Sequence, residues 1–226
     1  LLYNDDNYFI KHLEEMNMAK TLTTKEMKKF DKFTIEKIGI PSIVLMERAS
    51  LAIRDIVLKR HYDLSNVVVV AGYGNNGGDG LAVARLLKIE RANVTIINVG
   101  NSKHESSERA TQRKICNYYK IPTTDDLSAL NDATLIVDAI FGVGIDRPVA
   151  GEYLEAIQAI NQTTATTVAV DVPSGLNSDT GTPLNEAVRA DLTVAIAFNK
   201  LGFGTNPGKE HVGEVVVADD MGVYYF

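Results

Sequence analysis

The chain has 226 residues, a formal net charge of −6, 45% hydrophobic and 23% charged residues, and one cysteine. Such a length and composition suit one globular domain, and an acidic balance without a basic cluster argues against duplex nucleic acid or an anionic membrane as the main partner. The lone Cys116 offers neither a disulfide framework nor zinc-ligand spacing, and no apolar run approaches the roughly 20 residues of a membrane span, so an intracellular, cytoplasmic protein is expected, with an organelle as the other intracellular location.

Residues 1–20 carry Phe9, Leu13 and Met16 at helical spacing among Asn, Asp, Lys and Glu, which predicts a short amphipathic extension ahead of a domain over 21–226. Thr23 and Glu26 form a capping box for a helix ending near Ile38 and Gly39; Pro41 stops it and Ser42 caps the next. From 42 to 60, Leu45, Ala49, Ala52 and Ile56 make one apolar stripe. The run VVVVA at 67–71 reads as a strand buried on both faces, followed by a glycine-rich turn and a helix from Leu81 to about Ile89. A strand at 94–99, a helix opened by a Ser102/Glu105 capping box and running to about Tyr119, a strand at 135–138, a helix over 152–160 and a strand at 167–171 continue the alternation. Strands at 192–198 and 214–218 close it, with only a glycine- and lysine-rich loop between them, so one of the two is expected to run antiparallel at an edge. The pattern predicts an α/β, Rossmann-like three-layer sandwich: a mostly parallel sheet with helices on both faces.

The turn after the first of these strands spells G-x-G-x-x-G at Gly72, Gly74 and Gly77, and a strand emptying into a helix there presents bare N–H groups to an anion. A nicotinamide oxidoreductase would add an acid about 20 residues on; the neighbourhood is Ile97, Asn98, Val99 and Gly100 instead, and no Lys-Ser/Thr pair follows the glycines to make a P-loop. In an open parallel sheet, ligands bind beyond the carboxyl ends of the strands. Three such ends carry polar groups: residues 75–79, Asp138 with residues 141–148 behind it, and Asp171 with residues 172–175. Each aspartate alone serves equally well as a cap or turn former, but three on one edge favour a pocket, where desolvation raises a carboxyl toward the range of a general acid or base. Oxygens of Asn76, Asp138 and Ser174 suit a hard cation, monovalent or divalent. Lys200 reads first as a solvated loop lysine and second as a charge on the same rim. Cys116 reads as a core thiol, and the four histidines as surface residues.

Three segments, GYGNNGGDGLAVARLL, VDAIFGVGIDRPVAGEY and VAVDVPSGLNSDTG, resemble the signatures of the YjeF N-terminal domain, the NAD(P)HX epimerase family; GIPSIVLMERA and KLGFGTNPGKEHVGEVVVAD match its flanks. The likeness covers roughly residues 21–220 and departs at Ser50, where the family more often has glycine. It implies a Rossmann-like dimer that interconverts the R and S epimers at C6 of hydrated NADH or NADPH, so that a partner NAD(P)HX dehydratase, a separate protein or a further part of a longer chain, can repair them. By resemblance the substrate would meet Asn75, Asn76, Gly77, Gly78 and Asp79, then Gly142, Val143, Gly144, Ile145, Asp146, Arg147 and Pro148, and Asp171, which would also be the catalytic acid/base. One potassium ion per subunit would take Asn76, Asp138 and Ser174. The alternative is a non-catalytic scaffold or binding module of the same fold; a nicotinamide-dependent oxidoreductase ranks behind both.

Overall fold

Five-residue strands of valine, isoleucine, leucine and alanine are β-branched or small, and they are spaced by segments long enough to cross over the sheet. In chain order the elements begin with β1 (Thr21–Leu22), α1 (Thr24–Phe33), α2 (Ser42–Lys59), β2 (Val67–Ala71), α3 (Asn75–Ile89), β3 (Val94–Asn98) and α4 (Ser107–Tyr118). They continue with β4 (Thr123–Thr124), β5 (Leu135–Ala139), α5 (Glu152–Gln162), β6 (Thr166–Val170), β7 (Leu192–Ile196), β8 (Asn199–Lys200), α6 (Asn206–Val212) and β9 (Glu214–Ala218). The structure is a computed structural model that describes residues 21–219 and 222–223; the extension expected over 1–20 lies outside the described residues.

Seven strands form one sheet in the order β4-β3-β2-β5-β6-β7-β9, with every pairing parallel. The chain starts in the middle at β2, moves out through β3 and β4, then returns past β2 to build β5, β6, β7 and β9. The order reverses between β2 and β5, so the crevice at their carboxyl ends is the place where an α/β sheet of this kind accepts a ligand. Side chains alternate across the sheet as the strand period requires. Val67, Val69, Ala71 and Val137 pack with Ile53 of α2, Leu81 and Leu87 of α3 and Cys116 of α4, while Val68, Val70 and Ile136 pack with Ile157 and Ile160 of α5. Three layers result, as the alternating pattern predicts.

The antiparallel edge does not occur. β9 pairs with β7 in parallel, and the crossover is α6, seven residues reading NPGKEHV, capped by the Thr205 hydroxyl on the Gly208 N–H. Its short length and lack of an apolar stripe explain why it reads as loop. The capping box at Ser102/Glu105 is also absent. Asn101 caps a single 3₁₀ turn at Ser102–His104 and Ser106 caps α4, because Glu105 is drawn instead to the guanidinium groups of Arg109 and Arg113. Pro41, not Ser42, occupies the cap position of α2, and the Ser42 hydroxyl donates to Glu108. The Thr23/Glu26 box is present, and α1 ends in a π turn at Thr34–Ile38 closed by Gly39 at φ 89°. Helix α1 is held to the body by a small apolar cluster of Leu22, Met27, Phe30 and Phe198, and by hydrogen bonds from Thr24 to Asp179. Cys116 is buried, donates to the Leu81 carbonyl at 3.2 Å, and is pushed by burial to about 11, an inert core thiol. Among the described histidines, His61 and His104 are exposed, but His211 is buried with Nδ1 3.1 Å from the Val188 carbonyl, a structural contact that spacing does not announce. Among the described residues no helix is long and apolar enough to cross a membrane.

Candidate active site

Helix α3 begins at Asn75, so the glycines at 77, 78 and 80 are helical rather than part of a loop that ends at Leu81. Glycine is a poor helix former, and the reason for its use here is distance. A Cβ on Gly77 would stand 1.9 Å from the Gly72 carbonyl oxygen, one on Gly80 would stand 2.4 Å from the Ala139 Cβ, and one on Gly78 would stand 2.6 Å from the Met46 Cε. The first turns of α3 therefore lie directly on β2, β5 and α2, and their N–H groups open at the switch point. Gly74 is different: a Cβ there meets nothing within 4 Å, and the same holds for Gly144 across the crevice. Both glycines border a cavity of about 700 Å³ at the carboxyl end of the sheet.

Asn75, Asn76, Asp79, Gly142, Val143, Gly144, Ile145, Asp146, Arg147 and Asp171 all line this cavity. Gly77 and Gly78 do not; they are buried against Gly72 and Met46, and their part is to let the helix approach. Pro148 lies outside the lining and is exposed, while Asp138 and Ser174 are fully buried beneath it.

Asp171 follows β6 with φ 68°, a conformation a non-glycine residue holds at a cost of roughly 1–3 kcal/mol and keeps where its surroundings enforce it. They do: its N–H donates to the Val194 carbonyl, and its Oδ1 accepts from the Ile196 N–H at 3.1 Å and from Lys200 Nζ at 2.5 Å. Oδ2 faces Gly142, where an added Cβ would stand 3.4 Å from it and 3.2 Å from Asn76 Oδ1. Lys200 is 1% exposed, so the solvated reading of this lysine is overturned. Its ammonium also donates to the carbonyls of Ile196 (2.9 Å) and Phe198 (2.8 Å), which together with Asp171 use all three of its donors. Ala197, at φ 60°, makes the tight turn that aims both carbonyls at one point. A lysine held in this way is a fixed cation that orients Asp171, not a nucleophile.

Of the other carboxyls that line the cavity, two are pushed upward in proton affinity. Asp79 is 8% exposed, and burial first, then the charge of Asp171, pushes its carboxyl well above the usual range. Asp31, on α1, is an exposed residue at the cavity lining; desolvation of its carboxyl there, then the charge of Asp171, raises it to about 6 against the opposing pull of Lys200. Nothing in the sequence pointed to Asp31, which lies 140 positions from Asp171 and arrives only because α1 packs over the crevice. Ser50, the visible departure from the family pattern, is accommodated inside α2, its hydroxyl donating to the carbonyls of Met46 (2.8 Å) and Asp79 (3.3 Å).

Below the cavity floor Asp138 accepts from the Ser174 hydroxyl (2.6 Å), the Ser174 N–H (2.8 Å) and the Ile140 N–H (3.3 Å). Burial raises this carboxyl to about 6 in spite of those bonds. The Phe141 N–H donates to the Ser174 hydroxyl oxygen at 2.9 Å, and Gly142, next in the chain, lies against Asn76, whose buried Nδ2 has no partner among the described residues. Among the described residues no group of three or more His, Cys, Asp or Glu side chains is arranged to hold a metal ion, so a cation here would depend on amide, hydroxyl and carbonyl oxygens with one carboxylate.

The glycines and carboxyls of the crevice lead to two measurable outcomes. Gly77→Ala should destabilise the fold by about 1–3 kcal/mol or more in urea titration, because the clash is with backbone, whereas Gly74→Ala should leave stability unchanged and weaken binding of an anionic ligand. The folded state holds the Asp31 proton more tightly than the unfolded chain, so ionising it as pH rises from about 4 through about 6 destabilises the fold. Asp31→Asn should therefore lose stability less than the parent over that interval; parallel curves of unfolding free energy against pH would contradict the assignment.

A family model described as YjeF-related protein N-terminus matches residues 42–202, which include every one of these residues except Asp31. A Limosilactobacillus reuteri protein (strain ATCC 55730 / SD2112) named NAD(P)H-hydrate epimerase is 58% identical over 206 residues, 91% of this chain and 97% of its own length. A Limosilactobacillus fermentum protein of the same name is 55% identical over 91% of this chain and 99% of its own. The crystal structure of the yeast protein ynu0 (YNL200c) superposes with a TM-score of 0.74 at 25% identity, covering 88% of this chain and 87% of that one. The chain belongs to the YjeF-related N-terminal family.

Proposed function

We propose that the chain is an NAD(P)H-hydrate epimerase, interconverting the R and S forms of hydrated NADH and NADPH at C6. The observation that carries the reading is Asp171: one carboxylate oxygen is locked by Lys200 and the Ile196 N–H, and the other is turned to a cavity shared with a carboxyl, Asp79, that burial pushes well above the usual range. Two carboxyls in such different environments are what acid and base roles require. The hydrate is a hemiaminal. The ring nitrogen lone pair forms a C=N bond as the C6–O bond breaks, the oxygen leaves as water with a proton supplied by a carboxyl, and water returns to the other face with a proton passed to Asp171. The exposed N–H groups at the start of α3 and the Arg147 guanidinium suit the phosphates and ribose.

The same reading carries a potassium ion on Asn76, Asp138 and Ser174. Its support is chemical: a buried carboxyl with no basic side chain bonded to it among the described residues, a serine hydroxyl and the Asn76 amide oxygen that faces Gly142 are the hard, mostly neutral oxygen donors a monovalent ion takes. When bound it would supply positive charge behind the 141–142 backbone. An NAD(P)HX dehydratase as functional partner follows from the activity. A homodimer is supported by the exposed apolar corner at Ile38 and Val44, and a reducing, cytoplasmic setting by the single thiol. No observation favours a non-catalytic scaffold, since Asp79, Asp138 and Asp171 are all present and oriented by the fold.

The direct test supplies R-NADHX, an S-specific dehydratase with its nucleotide, and the protein, and follows recovery of NADH absorbance. The protein should accelerate recovery well above the spontaneous rate, and Asp171→Asn should lose on the order of 10²–10⁴ of that acceleration while remaining folded. Full activity in that variant would remove Asp171 from the chemistry. For the ion, thermal unfolding in potassium chloride should lie above that in tetramethylammonium chloride at equal ionic strength, and Asn76→Ala should abolish the difference. An equal gain in both proteins would assign it elsewhere.

A further inference from the structure

One end of the cavity is built from groups that the chemistry at Asp171 does not use. Tyr73, the second residue of the glycine-rich turn, lines the cavity, and the guanidinium carbon of Arg109 lies 4.0 Å from the centroid of its ring. Arg109 is fully buried in the first turn of α4. It donates to the Gly72 carbonyl at 2.6 Å, to Asn98 Oδ1 at 2.5 Å, and to Glu105. The Ser106 N–H donates to the Tyr73 carbonyl at 3.0 Å, so both the ring and the backbone of Tyr73 are fixed from the α4 side. Asn98 ends β3, the position at which a nicotinamide oxidoreductase holds the adenosine ribose with an acid. Here that position is spanned by the Asn98–Arg109 bond, so the adenosine half of a dinucleotide cannot lie where an oxidoreductase puts it.

Glu108, the next residue on α4, lines the same end of the cavity together with Ser42 and His104. Both of its carboxylate oxygens accept from serine hydroxyls, one from Ser42 and one from Ser107 at 2.7 Å, and these bonds hold its carboxyl below the usual range. A carboxylate only accepts hydrogen bonds, so its free lone pairs suit an amino group. A Tyr ring with a cation under one face offers the other face to an electron-rich aromatic ring. The second aromatic pair at the cavity, Phe141 and Tyr153 of α5 with centroids 4.7 Å apart, packs against the core and, among the described residues, has no cation against either ring.

We propose that Tyr73, backed by Arg109 and edged by Glu108, is the platform for the adenine base of the substrate, with the base stacked on the outer face of the ring and its exocyclic amine directed to Glu108. This rests on the epimerase reading for the identity of the dinucleotide. The placement agrees with the sheet: β3 and β6 stand three strand spacings apart in the order β3-β2-β5-β6, about 14 Å, with the start of α3 between them. An extended dinucleotide then runs along the sheet edge with its base over Tyr73, its pyrophosphate at the amides of α3 and its hydrated ring at Asp171. Tyr73 and Glu108 are specificity residues for the half of the substrate that does not react.

The test compares NADHX with the hydrate of reduced nicotinamide mononucleotide, which lacks the adenosine half, in the parent protein, Tyr73→Leu, Tyr73→Phe and Glu108→Gln. Base-on-aromatic stacking is strong enough that Tyr73→Leu should raise KM for NADHX on the order of tenfold more than KM for the mononucleotide, with Tyr73→Phe restoring the parent ratio. Glu108→Gln should narrow the preference for NADHX over its hypoxanthine analogue, which carries an oxygen in place of the amine. Calorimetric binding of ADP-ribose, which needs no turnover, should weaken by a similar factor in Tyr73→Leu. Equal ADP-ribose affinity in folded Tyr73→Leu and parent protein, or equal KM changes for both hydrates, would overturn the platform. Failure of the parent protein to accelerate epimerisation would overturn the epimerase reading instead, and the ADP-ribose measurement would still decide the platform.

Discussion

The buried pair of Lys200 and Asp171 is the interaction on which the arrangement of the site depends. An ammonium taken out of water loses hydration that a single carboxylate does not replace, and such a pair persists only when its remaining donors and acceptors are satisfied. The chain meets that requirement with backbone. Ala197 adopts a left-handed conformation so that the carbonyls on either side of it turn to the ammonium, and Asp171 adopts another so that its carboxylate reaches both the ammonium and the Ile196 N–H. Two unfavourable backbone conformations are thus tied to one ion pair. The result is a carboxylate with one oxygen immobilised and the other directed at the cavity, which a freely rotating aspartate on a loop would not provide.

Lys200 stands among several carboxyls of the cavity lining. Asp31, Asp79 and Asp171 line the same cavity, and Coulomb repulsion in a partly desolvated space disfavours full ionisation of all three. Lys200 bonds directly to Asp171, while Asp79, buried in α3, is pushed well above the usual carboxyl range and Asp31, on α1, is raised to about 6. Both upward shifts are produced by position alone, since the side chains are chemically identical.

The sheet and its helices on both faces were legible because strands such as VVVVA and TVAV carry unbroken apolar runs, and the carboxyl edge was legible because polar residues end those runs. What escaped was set by contacts distant in sequence. Lys200 reads as a loop residue until Asp171, 29 positions earlier, is folded beside it. Asp31 belongs to a helix attached through a small apolar cluster and the Thr24–Asp179 bonds, and no local pattern ties it to the crevice. Helix α6 was lost because seven residues containing glycine and proline have no periodicity, and with it went the direction of β9. The start of α3 was misread for the opposite reason: glycine propensity argues against a helix, but close approach to Gly72 and Ala139 overrides it.

The absent ribose acid gains a physical meaning from Arg109. An acid at position 98 would pair with that guanidinium as readily as with a ribose, so the residue that excludes the oxidoreductase pose is the arginine and not the asparagine. A fully buried guanidinium with a carbonyl, an amide oxygen, a carboxylate and an aromatic face around it is fixed in place, and it fixes the Gly72 carbonyl and the Tyr73 ring in turn. The glycine-rich turn keeps its capacity to present amides to an anion while its neighbour closes the adenosine site that usually accompanies it. The crevice at the switch point thus combines a turn fixed by a buried arginine on one side with the Lys200–Asp171 pair, beyond β6 and β7, on the other.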